Sequence, residues 1–334
     1  MNHNTCTLSI FMCHIYRYEP GLYDKIKSIV RYRFRDKKEL QKAVKGWCGY
    51  GTYYETHKYY GHISIWDTSL VTDMGFLFSD CYYFNDTIDW WDVSHVTTME
   101  NMFYNCHSYN QPLGSWDTSR VVTIESMFCR CYSFNHNINR WDVGNIKNMR
   151  DVFSNCSEFD SPLYNWDTSR AVDMSFMFYF CTNFNQPIGE WDVSSVTTMN
   201  QMFQDCHLFN QNISRWDVVC VKTMCYMFEK CSDFNQPLDR WKVGHVTDMN
   251  SMFKGCTNFN QNLNDWDVSK VIFMDSMFEG CVVFNYPLDR WEISRVVDMS
   301  KMFYGCREFN KSTNNWDISS VENTKHIFYG CNTD

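Results

Sequence analysis

Trp191-Asp192-Val193-Ser194-Ser195-Val196-Thr197-Thr198-Met199-Asn200-Gln201-Met202-Phe203-Gln204-Asp205-Cys206-His207-Leu208-Phe209-Asn210-Gln211-Asn212-Ile213-Ser214-Arg215 is followed by Trp216, and the phrase begins again. Trp returns at this 25-residue interval eleven times, from Trp66 to Trp316, and Cys keeps the same interval from Cys81 to Cys331. A fixed period of this size means stacked copies of one small unit, each burying its apolar face on its neighbours.

Within the unit, Met199, Met202, Phe203 and Cys206 lie at i, i+3, i+4 and i+7, the spacing of one helix face. The residue before the first Met is Asp, Thr or Asn at Asp73, Thr98, Thr123, Asn148, Asp173, Thr198, Thr223, Asp248, Asp298 and Asn323, and only Phe273 departs. Such side chains accept from the first free amides of a helix. Glycine just before the Cys in the last four copies (Gly255, Gly280, Gly305, Gly330) suits the end of a two-turn helix. The other limb, with Ile188, Trp191, Val193 and Val196, has the spacing L-x-x-W-x-V-x-x-V, that of a leucine-rich-repeat strand, L-x-x-L-x-L-x-x-N-x-L, with Trp in a leucine slot. Alternation along Trp-Asp-Val turns Trp and Val inward and Asp outward. The Phe-Asn-Gln segment between the limbs reads as a turn. The expected fold is therefore an α/β repeat solenoid, leucine-rich-repeat-like. It has one short parallel strand and one two-turn helix per coil, about eleven coils, and a helical N-terminal cap. The domain reading is 1–60 for the N-terminal segment and capping helices, and 61–334 for the solenoid.

At the N-terminus, Asp36 and Glu39 read as a capping box for a helix through Leu40, Ala43, Val44 and Trp47, with Gly46 able to end it. Val30, Tyr32 and Phe34 alternate as an edge strand, and Pro20 to Ile29 suggests another helix. The short apolar run Leu8 to Cys13 has no Lys or Arg before it, which reads against a secretory signal. No capping segment follows the last repeat, so its helix and sheet edge are expected to be exposed or to self-associate.

The net charge is −9, and it divides unevenly. Residues 1–46 hold ten Lys and Arg against four acids, and the remainder is strongly acidic. An acidic body is a poor nucleic-acid surface, and no apolar stretch is long enough to span a membrane. The basic N-terminal piece reads as the solvated face of a cap. Seventeen cysteines admit three readings. They are buried thiols, which the in-register spacing favours, or disulfides, or a metal site, for which Cys129-x-Cys131 and Cys220-x₄-Cys225 are too isolated. Unpaired buried thiols fit a reducing compartment. No nucleophile, phosphate-loop or zinc-protease motif is present, and the histidines are scattered over the repeat (His62, His107, His136, His326) with no shared constellation. The expectation is a non-enzymatic protein without cofactor or metal. Asn85-x-Thr87, Asn212-x-Ser214 and Asn310-x-Ser312 are formal glycosylation triplets that the repeat generates by chance.

The candidate partner-binding surface is the outward strand face. It comprises the Asp stripe (Asp92, Asp117, Asp142, Asp167, Asp192) with the variable residues just before Trp and four after it. These are His95, Arg120, Arg140, Arg170, Arg215, Arg240, Lys270 and Arg295. The stripe admits two readings: a site for cations or basic partners, or local hydrogen bonding and ion pairing, which the neighbouring basic residues favour.

The runs Phe184-Asn185-Gln186-Pro187, Trp191-Asp192-Val193-Ser194 and Met202-Phe203 with Cys206 resemble the BspA-like leucine-rich-repeat surface proteins. More narrowly they resemble the mycoplasmal lipoprotein-type 25-residue repeats, also found in large DNA viruses. The lead-in Phe34-Arg35-Asp36, Glu39-Leu40, Trp47 and Tyr60-Gly61-His62-Ile63-Ser64 matches too, so the resemblance covers residue 30 onward. It implies a solenoid of surface or host-interaction type, host proteins among its partners, and no reaction. Set beside the bacterial versions, the chain is expected to lack their signal and lipid-attachment cysteine. The functional expectation is protein–protein interaction through the sheet face, with a self-associating structural or adhesive component as the alternative.

Overall fold

The computed structural model describes residues 31–332. The expected helix at Pro20 to Ile29, Val30 of the edge strand and the apolar run Leu8 to Cys13 lie outside the described residues. The remainder of that edge is present: Arg33 bridges Asp67 in parallel, and the Phe34 amide donates to the Asp67 carbonyl at 3.0 Å.

Helix α1 is Lys37–Cys48. The Asp36 side chain accepts from the Glu39 amide at 2.8 Å, as its spacing suggests, while Glu39 reaches back to the Arg35 amide instead of that of Asp36. Leu40, Ala43, Val44 and Trp47 are buried in the core. Gly46 does not end the helix, which runs on to a cap at Gly49. A Cβ on Gly46 would meet the Thr56 hydroxyl, so glycine is there for the close approach of α2, Tyr53–Tyr60. A 3₁₀ turn, Ile63–Ile65, leads into the first Trp.

The coils differ from the expected unit in two ways. First, the segment with helical spacing is a run of turns. In the Trp191 coil the Met202 amide donates to the Met199 carbonyl at 3.3 Å, and the Cys206 amide to the Phe203 carbonyl at 3.0 Å. The third residue of each turn has positive φ, at Gln201 (56°) and Asp205 (60°). A four-residue turn with positive φ at its third residue is of type II. Alternate amides point to the next coil: Met199 to the Thr223 carbonyl, Gln201 to Cys225, Phe203 to Met227 and Asp205 to Glu229, at 2.8–3.2 Å. Two consecutive four-residue turns place inward side chains at i, i+3, i+4 and i+7, just as a helix face does. The ladder supplies a bond to every second amide, whereas an isolated two-turn helix is marginal. The non-glycine residues held at positive φ, each costing about 1–2 kcal/mol, are tolerated inside that ladder. Glycine takes the second site from Gly255 onward, at φ of 72–79°.

Second, the coil-to-coil pairing falls seven residues after each Trp, not on Trp-Asp-Val. Parallel bridges join Asp73 to Thr98, Thr98 to Thr123, and each successive pair from Asn148 to Asn323. The Asp, Thr and Asn residues read as helix caps are these bridge residues. Several still accept from an amide, two residues on: Ser175 to Asp173 and Ser300 to Asp298, both at 2.8 Å. Trp-Asp-Val-Ser is a corner, because the Asp carboxylate folds back on the chain and Val196 turns onto the Val193 carbonyl.

Trp, Val, Met, Phe and Cys of the repeat form one continuous core. Phe203 lies between Phe178 and Phe228 with centroids 5.6 and 5.7 Å away and rings within 8° of parallel. Trp241 and Trp266 stack at 6.4 Å and 3°. Polar edges of the same residues tie each coil to the one before. The Trp191 indole donates to the Leu163 carbonyl at 3.0 Å, and the Cys206 thiol to the Phe178 carbonyl at 2.9 Å. The Asn after the second Phe makes a third tie: the Asn210 amide donates to Asn185 Oδ1, and Asn235 to Asn210 Oδ1, both at 3.0 Å. Asp160 takes one rung of this ladder with its own carboxylate. The eleventh coil is open on its outer side: Ile318 is 54% exposed, and Val321, Ile327 and Phe328 are only half-buried.

Candidate functional site

The Asp that follows Trp acts locally in every copy that has it. Its Oδ1 accepts from the amide two residues on: Ser69 to Asp67, Ser94 to Asp92, Ser119 to Asp117, Gly144 to Asp142 and Ser169 to Asp167. The same bond joins Ser194 to Asp192, Val219 to Asp217, Ser269 to Asp267 and Ser319 to Asp317, all at 3.0–3.1 Å. These are Asx turns, in which a short carboxylate replaces a backbone acceptor. The Ser269 hydroxyl adds a 2.6 Å bond to Asp267. That hydroxyl, the amide, and Lys270 beside it hold the Asp267 carboxyl below the usual carboxylate range. At Gly244 a Cβ would come within 2.8 Å of Asp267 Oδ2, so one coil's carboxylate rests on the backbone of its neighbour.

The basic members of the predicted site are exposed beside this row but do not converge with it. Arg215 pairs with Glu190 at 2.8 Å and Arg170 bonds Asn145 at 2.9 Å, each reaching one coil back. Arg120, Arg140, Arg240, Lys270 and Arg295 are exposed, and among the described residues no ion pair within 4.0 Å holds them. His95 contacts the Ser94 hydroxyl at 3.2 Å. The local reading of the Asp stripe therefore holds through the backbone amide, and basic neighbours add only a field. None of these residues lies on the bridged segment, so the predicted strand face is a row of corners.

The outward side of the turn ladder is a surface that sequence reasoning missed. Between its inward residues every coil presents two pairs of outward positions, and these vary among the coils apart from the glycine that closes the last four. In the fifth coil they are Ser175, Phe176, Tyr179 and Phe180, in the sixth Asn200, Gln201, Gln204 and Asp205, and in the seventh Cys225, Tyr226, Glu229 and Lys230. Phe176 packs edge-on to Tyr179 at 5.8 Å, Tyr179 to Phe180 at 4.6 Å, and the Arg150 guanidinium covers Phe176 at 4.7 Å. Beyond the aromatic cluster lies a charged strip. Lys230 meets Asp205 at 3.2 Å, Gln204 donates to Glu229 at 2.6 Å, Lys254 lies 3.6 Å from Glu279, and Asn250 bonds Asp275. Acceptor atoms of Asn105, Gln204, Asp205 and Asn250 on this side are buried without a hydrogen-bond partner. Burial pushes the carboxyls of Glu229, Asp248 and Asp275 up. The signal available in the sequence was the irregularity of these positions within an otherwise exact repeat. The helix assignment hid it, because it scattered them around a cylinder.

Among the described residues no group of three His, Cys, Asp or Glu side chains could hold a metal ion, and no helix is long and apolar enough to cross a membrane. Thiols of the Cys ladder such as Cys131 and Cys181 are pushed far up by burial, which keeps them protonated and unreactive.

The family model described as "Mycoplasma protein of unknown function, DUF285" matches residues 50–165, 147–246 and 234–334 in three overlapping stretches. The chain belongs to this family. The DUF285 matches run from the loop after α1 through every coil. No curated protein and no solved structure matches the chain.

Proposed function

We propose that this DUF285 protein is a non-enzymatic interaction stack that binds protein partners through the outward side of its turn ladder. The observation that carries this reading is the division of labour within each coil. The repeated residues are consumed by the core and the inter-coil ties, while the ladder side holds aromatic, charged and unpaired polar groups that vary from coil to coil. Repeat proteins recognise partners through variable side chains on a rigid frame. Half-buried aromatics such as Tyr179 and Phe180 beside a charged strip have the character of interface anchors. We propose further that the stack is a leucine-rich-repeat-like solenoid of the BspA-like kind, as its L-x-x-W-x-V-x-x-V spacing suggests, and that host proteins are among its partners.

The test is affinity capture from native cells with three forms of the full chain: wild type, Tyr179→Ala/Phe180→Ala, and Arg120→Glu/Lys270→Glu/Arg295→Glu. Loss of the captured proteins from the ladder variant alone supports the proposal. Loss from the corner-row variant alone moves recognition back to the predicted residues. Absence of specific capture by any form overturns the interaction reading.

A second reading, self-association, rests on the open apolar side of the eleventh coil, where Ile318 and Tyr329 are 54% and 62% exposed. Sedimentation at micromolar concentration separates it from the first, and a monomer there removes it.

A further inference from the structure

Each thiol of the Cys ladder is spoken for. Cys106 donates to the Phe78 carbonyl of the preceding coil, Cys131 to Phe103, Cys156 to Phe128, and the pattern continues to Cys331 on Phe303. Cys81, the first rung, has no preceding coil. In its place stands the end of α1, where Cys48 lines the same cavity as Cys81, and the neighbouring Cys81 thiol raises that of Cys48. Cys48 is exposed and Cys81 half-buried, whereas the rungs from Cys106 to Cys306 are buried. A cavity of about 400 Å³ opens beside the pair, lined by Trp47, Tyr53, Tyr82 and Tyr83 among others, and gives a small reagent access to both sulfurs.

We propose that Cys48 and Cys81 form a reversible disulfide that fastens the helical cap to the first coil. The oxidant is a low-molecular-weight disulfide such as oxidised glutathione. One protein thiolate attacks it, forming a mixed disulfide and expelling one small thiolate. The second protein thiol then loses its proton and attacks the protein sulfur of the mixed disulfide, expelling the other. One S–S bond breaks and one forms. Two electrons pass from the protein to the small disulfide, and the two protons lost by the protein end on the two small thiols. An excess of small thiol runs the sequence backwards. The neighbouring Cys81 thiol holds the Cys48 thiol up, so exchange accelerates as pH rises, because the thiolate is the attacking species. The other ladder thiols stay out of the reaction, being buried and bound to carbonyl oxygen.

The test is peptide mapping of the native full chain after incubation with oxidised glutathione at pH 7 and pH 8.5. The expected result is a Cys48–Cys81 linked peptide that forms faster at the higher pH and disappears with dithiothreitol. Exposed Cys220 should carry only glutathione. In Cys48→Ala, whose replaced side chain lies at the surface, Cys81 should appear as the glutathione adduct with no cross-link. Separate glutathione adducts on Cys48 and Cys81 in the wild type, a Cys81–Cys106 pair, or pairing of Cys48 with Cys6 or Cys13 would overturn the proposal.

Discussion

Two sides of the same coil treat their polar residues in opposite ways. At the corners, nine Asp carboxylates make the same bond, each accepting from the amide two residues on, from Asp67 to Asp317. On the turn ladder, the outward positions pass from Phe176 and Phe180 to Asp205 to Lys230 before glycine takes the last site from Gly255 onward, and the side-chain contacts differ among the coils. The corner is regular because its carboxylate completes the backbone. The ladder side is irregular because its backbone is already complete: alternate amides are satisfied by the next coil, and the side chains are not needed to complete it. Repetition therefore marks scaffold, and departure from it marks surface that is free to acquire a role.

The sharpest way to break this comparison is at the core beneath the ladder. Phe203→Ala removes a ring stacked on both sides and is expected to cost about 3–5 kcal/mol, read as a fall in the urea midpoint. Tyr179→Ala, on the outward side of the neighbouring coil, is expected to cost about 0.5 kcal/mol. Equal losses would mean that the outward residues are also scaffold.

A smaller effect is expected from the ladder backbone. At Gly280 the φ is 75° and a Cβ would meet nothing closer than 3.7 Å. Gly280→Ala therefore isolates the backbone term, with a loss of about 1–2 kcal/mol. A neutral result would show that the turns relax without strain.

The smallest effect is electrostatic, and its sign differs between the two sides. The Asp267 carboxyl is held low in the folded chain. Its stabilisation is present above the unfolded value near 4 and is lost as pH falls through the lowered one. Glu229 is held high by burial, with Lys254 and Lys230 opposing. Its contribution is present below the unfolded value and is lost as pH rises through the raised one. Asp267→Asn should flatten the acid limb of urea midpoint against pH, by less than about 0.5 kcal/mol after solvent screening. Glu229→Gln should leave that limb in place and remove the decline above it. The reverse pattern would exchange the roles assigned to the two sides.

Much of the core was legible before the structure. Trp191, Val193, Val196, Met199, Met202, Phe203, Cys206 and Ile213 are inward as their spacing implies, and Leu40, Ala43, Val44 and Trp47 cover the first coil. The local role of the Asp row was legible too, since Asp followed by a small residue after a turn suits an Asx turn. What misled was the i, i+3, i+4, i+7 pattern. It specifies which residues face in, but a two-turn helix and two successive type II turns give the same answer. Phe176, Gln201 and Tyr226 at positive φ carry no local sign of it, because those side chains do not favour that region. The asparagine ladder was hidden for a related reason: Asn185 and Asn210 look like turn residues, and their partners are 25 positions away.

By itself, then, the sequence determined the period, the inward set and the corner chemistry, because these depend on composition and spacing along the chain. Only the tertiary structure decided where the coils pair, that the apparent helix is a ladder of turns, and which side chains are left facing solvent. Those outcomes depend on hydrogen bonds between coils, whose amides and carbonyls satisfy one another only after the coils are stacked.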